Sequence, residues 1–385
     1  MKKLLRTGFT LGLVTLFLAS CSSDDNSSNN KNEGGGSKVE NEIKGTYKKG
    51  QVLQLDGSKT YTLKEKLVIE DGAELRIPAG TKIVGAGGTS SYIAIAQGGK
   101  IFVEGTKEKP VVMTAGVQKR GSWGGLVLCG RAPINKGKTA TAEVSDLTYG
   151  GDIADDNSGS IKYLRIEYAG ASYNADKEFN GLTFFGVGSG TVVEYVQAHE
   201  GADDGFEWFG GTVNTKYLVS TNNDDDQFDW TEGWNGKNEY WYSSQAGVAD
   251  KGFEADNDSK NHYSTPISFP TIKNVTLIGS NTKPEDGKPR TALHFRVGTK
   301  ALVENIYLKN FEVGVLVEND ATIKGIGNDL VVKNVKFDDV KKKYTITDND
   351  KKNIINDAII VEGEATGAGN GVNVPEWAKG WTVGL

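Results

Sequence analysis

A short motif that recurs along the chain constrains the fold more than any other feature of the sequence. It reads apolar, polar, Asn or Tyr, apolar, any residue, apolar. Complete copies occupy residues 161–166, 193–198, 272–277, 303–308 and 332–337, and Tyr217 and Tyr240 lie in weaker copies. Successive copies lie about 22 to 32 residues apart, or a multiple of that spacing. One coil of a parallel β-helix has this length, because three short strands and three turns form a rung, and stacked rungs bury one continuous interior.

The remainder of the chain agrees with an all-β solenoid. Short runs that alternate apolar and polar residues, separated by turn formers such as Asp71-Gly72, fill residues 61–114. No window of a dozen residues holds a helical apolar stripe. The 50 glycines against 8 prolines favour strands and tight turns over helices. We therefore predict one parallel β-helix domain, residues 45–385, with short turns and a few loop insertions.

The first residues predict export and lipid attachment. Basic residues precede a short apolar run, residues 9–18, which is about half as long as a membrane-spanning helix. Leu18-Ala19-Ser20-Cys21 then resembles a bacterial lipobox, in which the residues before the cysteine are removed and the cysteine is lipidated. We expect a signal peptide at 1–20, a lipidated Cys21 and a disordered tether over 21–44, because that stretch is almost free of apolar residues. An ordinary secretory signal with a chance cysteine is the alternative.

Further segments carry a family resemblance. They are residues 78–81, 105–106, 110–114, 121–126 and 377–382. These segments resemble the right-handed β-helix (pectin-lyase-like) surface lipoproteins of Bacteroidota, and Ser22-Ser23-Asp24-Asp25 resembles the acidic export signal of that group. The resemblance implies a right-handed β-helix, lipid-anchored in the outer membrane and facing the cell exterior. It implies no activity, because the family has no settled function.

Residues 200–258 combine more carboxylates with more aromatic rings than any other part of the chain. The slightly longer segment 200–260 holds 14 acidic and 4 basic residues, so the negative charge is local. Such charge argues against nucleic acid and against an anionic membrane surface as partners. Phe206, Phe228 and Phe253, spaced 22 and 25 residues apart, begin three similar runs.

Aligning these runs on their phenylalanines predicts three ladders of side chains on neighbouring rungs, about 4.8 Å apart. The ladders are Glu207, Asp229 and Glu254; Asp203, Asp225 and Asp250; and Asp204, Asp226 and Lys251. Carboxylates this close repel unless a pKa rises, a counter-charge such as Lys251 intervenes, or a cation binds. Oxygen-rich ladders suit Ca²⁺, so the candidate metal ligands are Asp203, Asp204, Asp225, Asp226, Asp229 and Glu254. No cofactor is required, since simple solvated ladders are the alternative.

The aromatic residues divide into two groups. Phe206, Trp208, Phe228 and Trp230 share a strand face opposite the acids and are predicted to fill the interior. Trp234, Tyr240, Trp241 and Tyr242 are candidates for ligand binding, because an exposed ring in this region could stack on a sugar or pack against a protein. Packing inside the domain is the alternative for this second group.

Catalytic candidates come from the same segment. Glu207, Asp229 and Glu254 could supply the carboxylate pair of a glycoside hydrolase, and Arg296, Lys251 or His294 could supply a base. His294 aligns with Glu254 if one rung plus an insertion near residues 281–290 separates them. The chain lacks the Gly-His-Gly segment and the Arg-x-Lys motif of β-helix hydrolases, which disfavours catalysis.

The sequence therefore favours a cell-surface binding or accessory module. Its acidic, aromatic face would meet a ligand, such as a glycan, or an outer-membrane transport partner of the TonB-dependent type. One alternative is a β-helix polysaccharide lyase or hydrolase that uses the clustered carboxylates, with or without Ca²⁺. Another is a structural or adhesive surface protein.

Overall fold

Strands make up nearly all of the regular structure. The computed structural model describes residues 41–174, 177–247, 249–280, 287 and 289–385. The helical segments within these residues are α1, Asp320–Ile323, and a 3₁₀ turn at Asp357–Ile359. The predicted signal peptide, Cys21 and the tether up to residue 40 lie outside the described residues. In the described part of the chain no helix is long and apolar enough to cross a membrane.

The strands follow one another in short steps. They are β1 Gly45–Tyr47, β2 Val52–Gln54, β3 Thr60–Leu63, β4 Leu67–Ile69, β5 Glu74–Pro78, β6 Lys82–Gly85, β7 Gly88–Ile95, β8 Lys100–Glu104, β9 Val111–Ala115, β10 Trp123–Cys129, β11 Ala140–Thr141, β12 Thr148–Tyr149, β13 Gly159–Glu167, β14 Ser172–Asn174, β15 Lys177–Glu178, β16 Leu182–Phe185, β17 Val192–His199, β18 Phe206–Phe209, β19 Asn214–Thr221, β20 Phe228–Thr231, β21 Lys237–Ser244, β22 Phe253–Ala255, β23 Thr271–Ile278, β24 Thr291–Phe295, β25 Ala301–Glu318, β26 Leu330–Thr347 and β27 Ile360–Glu362.

Parallel pairing stacks these strands into three faces. The first face contains β1, β4, β7, β10, β16, β18, β20, β22, β24 and the last part of β25. The second face runs from β2 through β5 and β8 to the first halves of β13, β17, β19, β21, β23, β25 and β26. The third face holds β3, β6, β9 and the second halves of those long strands. This topology confirms the predicted parallel β-helix, and it is right-handed.

The Asn or Tyr of the repeated motif forms the corner between the second and third faces. Tyr163, Tyr195, Tyr217, Tyr240, Asn274, Asn305 and Asn334 all have φ between 50° and 62°. One left-handed residue bends the strand sharply without ending it. The corner side chains also stack: the Tyr163 and Tyr195 rings are 4.3 Å apart, and Asn305 donates to Asn274 over 2.8 Å. The recurring polar position is therefore a bend that each rung repeats.

Inward side chains form a continuous apolar core. Phe206, Trp208, Phe228 and Trp230 are completely buried, which confirms their predicted interior position. Their rings stack from rung to rung, with 5.6 Å between the centroids of Phe206 and Phe228. Each such side chain contributes about 1.5–3 kcal/mol through burial of its apolar surface. The core lies directly behind the acidic residues of the first face.

The second face carries outward side chains of alternating charge, which we call the alternating ladder. Its members, one per rung, are Glu104, Lys162, Glu194, Lys216, Glu239, Lys273, Glu304 and Lys333. Three pairs form ion pairs, at 3.1 Å for Lys162–Glu194, 2.9 Å for Lys216–Glu239 and 3.2 Å for Lys273–Glu304. Opposite charges on adjacent rungs attract, so this ladder helps to keep the rungs in register.

Two insertions and a C-terminal segment lie on the outside of the coil. Residues 130–158 contain the hairpin β11–β12, which packs on the outer side of the first face through Ile134, Val144 and Tyr149. A second hairpin, β14–β15, precedes β16. Residues 366–385, the C-terminal strap, return along the third face and bury Trp381. The predicted loop insertions are thereby confirmed.

β1 begins at residue 45, the predicted start of the domain, and a few ordered contacts lie just before it. Ile43 is 5% exposed, its N–H donates to the Thr62 carbonyl, and Glu42 forms a bridge with Thr62. The expected disordered tether over 21–44 is therefore wrong at its end, because Ile43 packs on the first rung. A single isoleucine among polar residues gives too weak a pattern to be recognised as a strand.

Candidate functional site

The acidic residues after each phenylalanine form the predicted ladder on the first face. Glu207 pairs with Asp229, Asp229 with Glu254, and Glu254 with His294 on successive strands. The side chains point outward because their neighbours on each strand point into the core. The alignment of His294 with Glu254, which depended on an insertion of uncertain length, is confirmed. We call Glu207, Asp229 and Glu254 the acidic ladder.

The corners that precede these strands carry the other two ladders. The Asp226 N–H donates to Asp204 Oδ1 over 2.9 Å, and the Lys251 N–H donates to Asp226 Oδ1 over 2.7 Å. Asp250 follows Asp225 in the same way, through a backbone bond to the Asp225 carbonyl. The same bond on consecutive rungs confirms that Asp204, Asp226 and Lys251 occupy equivalent positions. Together with the acidic ladder, these corner residues line an acidic cleft.

Cations neutralise one end of the acidic cleft. Lys251 Nζ lies 2.6 Å from Asp250, 2.7 Å from Glu254 and 3.6 Å from Asp226. Arg296 pairs with Glu254 and, over 2.6 Å, with Asp256. Burial opposes ionisation of Glu254, but its contacts with His294, Lys251 and Arg296 outweigh that effect and hold its pKa well below the usual range. Glu254 is therefore a structural anion.

His294 is held between two carboxylates at this same end. Its Nδ1 is 3.5 Å from Glu254 Oε1 and its Nε2 is 3.0 Å from Glu318 Oε2. Burial lowers the pKa of His294, but the two carboxylates raise it by a larger amount, so that the net shift is upward. The bond to His294 in turn lowers the pKa of Glu318 to about 2. His294 and Arg296 are thus engaged with carboxylates, which leaves neither as an obvious general base.

At the other end of the cleft, the described part of the chain supplies no such compensation for Asp204, Glu207 and Asp229. No lysine or arginine among the described residues forms an ion pair with Asp204, Glu207 or Asp229. Burial raises the pKa of all three well above the usual range, and the neighbouring carboxylates raise it further. Burial and the neighbours Glu178 and Asp225 also raise the pKa of Asp203 to about 8. This end therefore attracts protons or another cation.

Residues outside the ladders complete the uncompensated end. Glu143, between β11 and β12, has a pKa raised to about 7 by burial and by Glu232 and Glu178. Glu143 also raises the pKa of Glu207, so the hairpin brings a further carboxylate to the cleft. Asn180 is 1% exposed and donates to Glu207 Oε2, while its Oδ1 has no hydrogen-bond partner.

Four sets of three carboxylates have oxygen atoms within 4.8 Å of one another. They are Asp203, Asp204 and Asp225; Asp204, Glu207 and Asp229; Asp225, Asp226 and Asp250; and Asp226, Asp229 and Glu254. These sets contain every residue predicted as a metal ligand. Carboxylate and amide oxygens are ligands that Ca²⁺ accepts in flexible geometry, and the free Oδ1 of Asn180 adds an oxygen beside the second set. The residues present therefore fit a hard cation.

The structure contradicts the predicted exposure of three of the four aromatic candidates, Trp234, Trp241 and Tyr242. Trp234 and Trp241 are fully buried, and their rings stack on Trp208 with centroids 4.6 and 5.2 Å away. Trp234 Nε1 donates to the Val213 carbonyl and Trp241 Nε1 to Thr215 Oγ1, so both indoles are satisfied inside. The alternation of inward and outward side chains restarts after the left-handed corner at Tyr240, so that the side chain of Trp241 points inward.

The two tyrosine candidates, Tyr240 and Tyr242, lie outside the acidic cleft. Tyr242 is 3% exposed beneath the C-terminal strap, where its hydroxyl donates to the Val372 carbonyl over 3.5 Å. This burial excludes Tyr242 from an open surface. Tyr240 is half-buried at its corner and stacks on Tyr217 at 5.0 Å. It lies on a different side of the coil from the acidic cleft and does not join that site.

Sequence reasoning missed four contributors to the cleft. Glu143 comes from the insertion at residues 130–158, and Asp256 and Glu318 pair with Arg296 and His294. Asp256 lies in the third run, three residues after Phe253, but not at one of the aligned ladder positions. Asn180 had a signal in the sequence, because Asn180-Gly181-Leu182 aligns with Asp204-Gly205-Phe206 on the next rung.

Comparison with known proteins agrees with the architecture. A family model described as a pectate-lyase-like β-helix domain matches residues 45–382. Searches of curated proteins and of solved structures found no match. The family match covers nearly the whole coil described above, from its first rung to the strap. The chain therefore belongs to the family of pectate-lyase-like β-helix domains.

Proposed function

We propose that this protein is a binding module that captures a positively charged ligand, a divalent cation or a cationic group, in its acidic cleft. One observation carries the proposal: the oxygen atoms of Asp204, Glu207 and Asp229 lie within 4.8 Å of one another, and no described cationic side chain pairs with them. Carboxylates concentrated in this way, partly buried and close together, are costly unless a cation or protons neutralise them.

Ca²⁺ is the simplest ligand to test. After treatment with EDTA, we expect added Ca²⁺ to raise the melting temperature at pH 7.5, since a ligand at 100 times its Kd stabilises the native state by about 2.7 kcal/mol. Asp229→Asn should abolish most of the shift. Glu304→Gln removes one exposed carboxylate from the alternating ladder and should keep the shift. A protein that responds to no cation, metal or organic, would contradict the proposal.

The location belongs to the proposal as well. The lipobox-like Leu18-Ala19-Ser20-Cys21 and the following acidic residues support a lipid anchor in the outer membrane, with the domain facing the cell exterior. Labelling with a radioactive fatty acid should mark the protein, and Cys21→Ser should lose the label. An accessory role beside an outer-membrane transporter of the TonB-dependent type would follow from this position. Mild cross-linking on intact cells would show whether such a transporter is its neighbour.

Polysaccharide cleavage is a second candidate. The family match and the raised pKa of Glu207 and Asp229 favour it, because a protonated carboxylic acid beside an ionised carboxylate can act as acid and base on a glycosidic bond. The native protein should then release products from at least one glycan in a broad panel, and Asp229→Asn should abolish release while the protein stays folded. No product from any glycan would eliminate this candidate.

A further inference from the structure

The second face of the coil is open to solvent, whereas described segments of the chain itself cover parts of the other two faces. The insertion at residues 130–158 packs on the outer side of the first face, and the C-terminal strap packs on the third. On the second face, the ion-paired members of the alternating ladder, from Lys162 to Glu304, keep 35–48% of their side-chain surface exposed. No described segment therefore lies over this part of the ladder.

A mostly uncharged column of side chains stands beside the ladder on the same face. Each member of the column lies two residues before a ladder residue on the same strand, and its members are Phe102, Ser160, Val192, Asn214, Lys237, Thr271 and Leu302. Val192 is 38% exposed, and Phe102 and Leu302 are half-buried. Val192 lines an open groove of about 310 Å³ together with Lys216 and Glu239 of the ladder. The second face thus offers exposed apolar surface next to its charges.

The ladder is neutral as a whole and alternates in sign from one end to the other. Its eight members, from Glu104 to Lys333, are four glutamates and four lysines at a spacing of about 4.8 Å. A partner of uniform charge would meet as many like charges as opposite ones. A partner that is attracted along the whole ladder must alternate in sign at the same spacing, and another copy of this chain has that pattern.

Two copies match their ladders in a closed pair when they run antiparallel. The two-fold axis then lies in the plane of the face, perpendicular to the coil axis and midway between the rungs of Lys216 and Glu239. Counted from Glu104, the fourth ladder position faces the fifth of the other copy, the third faces the sixth, the second the seventh and the first the eighth. Each of these pairs joins a glutamate to a lysine. A two-fold axis along the coil would instead place every charge opposite its own kind.

We propose that the second face is a docking surface for a second copy of this chain, which binds antiparallel through the alternating ladder. The contact between Lys216 of one copy and Glu239 of the other would form twice, by symmetry, and Val192 would pack on the methyl group of Thr271 of the second copy. Both copies repeat at the same rung spacing, so the pairs stay in register along the face. An ammonium group has three donors and a carboxylate about four acceptor sites, so each group keeps its partner within its own copy as well.

The size of this surface predicts weak association that depends on salt. Eight rungs span about 34 Å, and three residues of each strand span about 10 Å. The contact therefore buries less than the roughly 800 Å² per partner of a standard interface. Attraction between exposed charges also falls as the salt concentration rises. We expect a dimer that forms at high protein concentration and dissociates in high salt.

Sedimentation velocity of the full chain measures this association, in an excess of mild detergent that masks the apolar run at residues 9–18. At low salt we expect dimers as the protein concentration approaches about 1 mM, the regime of weak interfaces. In about 1 M salt, where the Debye length is about 3 Å, we expect monomers. Lys216→Glu and Glu239→Lys should each raise the Kd of the dimer at least about tenfold, because symmetry turns each reversal into two contacts between like charges.

A mixture of these two variants provides the sharpest test. The new glutamate of one variant would face the new lysine of the other, and the unchanged Glu239 of the first would face the unchanged Lys216 of the second. The mixture should therefore dimerise with nearly the wild-type Kd, although neither variant does so alone. Such recovery also excludes misfolding as the cause of the loss. Lys379→Glu and Glu376→Lys, which reverse an exposed ion pair on the strap, are the matched controls and should leave the Kd unchanged.

A wild-type chain that stays monomeric at every concentration at low salt would overturn the inference, and so would a dimer that persists in high salt or in both single variants. A mixture that stays monomeric would overturn the antiparallel pairing. The acidic cleft lies on another face, so Asp229→Asn, the variant that tests the proposed function, should dimerise like the wild type. The two proposals can therefore fail separately.

Discussion

Two ladders of charged side chains run along this β-helix on different faces, and they are built in opposite ways. The alternating ladder places Glu and Lys on successive rungs over eight rungs, with ion pairs of about 3 Å between them. The acidic ladder places Glu207, Asp229 and Glu254 on successive rungs at the same spacing. Backbone geometry is the same in both, so the difference lies in the side chains alone.

The comparison distinguishes charged side chains that stabilise the fold from charged side chains that destabilise it unless they are neutralised. Alternating charges do not repel at a rung spacing of about 4.8 Å, because each charged side chain lies next to one of opposite sign. Like charges at that spacing repel, and around Glu254 the repulsion is offset by Lys251, Arg296 and His294 together. Among the described residues, no lysine or arginine forms such an ion pair with Asp204, Glu207 or Asp229 on the upper rungs. This difference is the observation behind the proposed cation site.

The largest effect should come from removing the cation that the acidic cleft does contain. Lys251→Met would leave Asp226, Asp250 and Glu254 without their shared ammonium, whose side chain is only 13% exposed. Loss of one partner from a buried ion pair costs about 3–5 kcal/mol. We expect chemical denaturation to show a loss in the free energy of unfolding of about 3 kcal/mol.

Lys216→Met in the alternating ladder is the matched control. It removes the same charge from a side chain that is 38% exposed, and should cost less than about 1 kcal/mol. Equal losses in the two variants would show that burial does not distinguish the ladders.

The next effect is the dependence of stability on pH. Asp204, Glu207, Asp226 and Asp229 have raised pKa values, and that of Asp203 is about 8. Between pH 4 and 8 the folded state therefore keeps protons that the unfolded chain releases, and the free energy of unfolding falls as pH rises. His294, with a raised pKa, acts in the same direction, whereas His199, with a lowered one, opposes it near pH 6.

Thermal unfolding at pH 5, 6, 7 and 8 measures this slope. We expect a loss of at least about 2 kcal/mol from pH 5 to pH 8 in the absence of ligand. A saturating cation should reduce the slope, because it replaces the protons that leave the cleft. A stability that is flat or rises over this window would show that the upper carboxylates ionise without cost.

A smaller effect of opposite sign is expected from neutralising one of these carboxylates. Asp229→Asn removes a charge that raises the pKa of both Asp204 and Glu207, so it should increase the free energy of unfolding at pH 8 by about 1 kcal/mol, the equivalent of less than one pKa unit. Glu194→Gln, which breaks the 3.1 Å pair with Lys162, should instead lower it slightly. The same sign in both variants would contradict the comparison.

The smallest effect tests whether the alternating ladder can be turned into an acidic one. Lys216→Glu would place three glutamates on consecutive rungs, with Glu194 above and Glu239 below. Like charges directly opposite on neighbouring strands cost up to about 1 kcal/mol, and salt should remove most of this loss because the site is exposed. Melting temperatures at low and high ionic strength measure it.

The repeated motif was sufficient to predict the coil, because each copy marks the bend between the second and third faces and the inward side chains on both sides of that bend. These copies recur at the spacing of one rung. For the same reason, alignment on Phe206, Phe228 and Phe253 predicted the acidic ladder and its continuation to His294. The alignment did not predict the burial of Trp241, since strict alternation across residue 240 ignores the left-handed corner at Tyr240. Trp234 lies in the turn between β20 and β21, where alternation gives no direction for the side chain. Nor could it show Glu143, which reaches the cleft from an insertion that follows no period. Asn180 lies one rung before Asp204, so extending the alignment by one rung would have found it.

The C-terminal strap has a consequence for the order in which the chain can acquire its final form. A solenoid of stacked rungs makes contacts mostly between neighbours and can fold as it emerges. Here Arg165 donates to the carbonyl of Trp381, 216 residues later, and Gln197 bonds with Val383. Contacts over such sequence distances slow folding. The early rungs are therefore completed late in folding, because the Tyr163 and Tyr195 rings stay uncovered until the last residues of the domain pack on them.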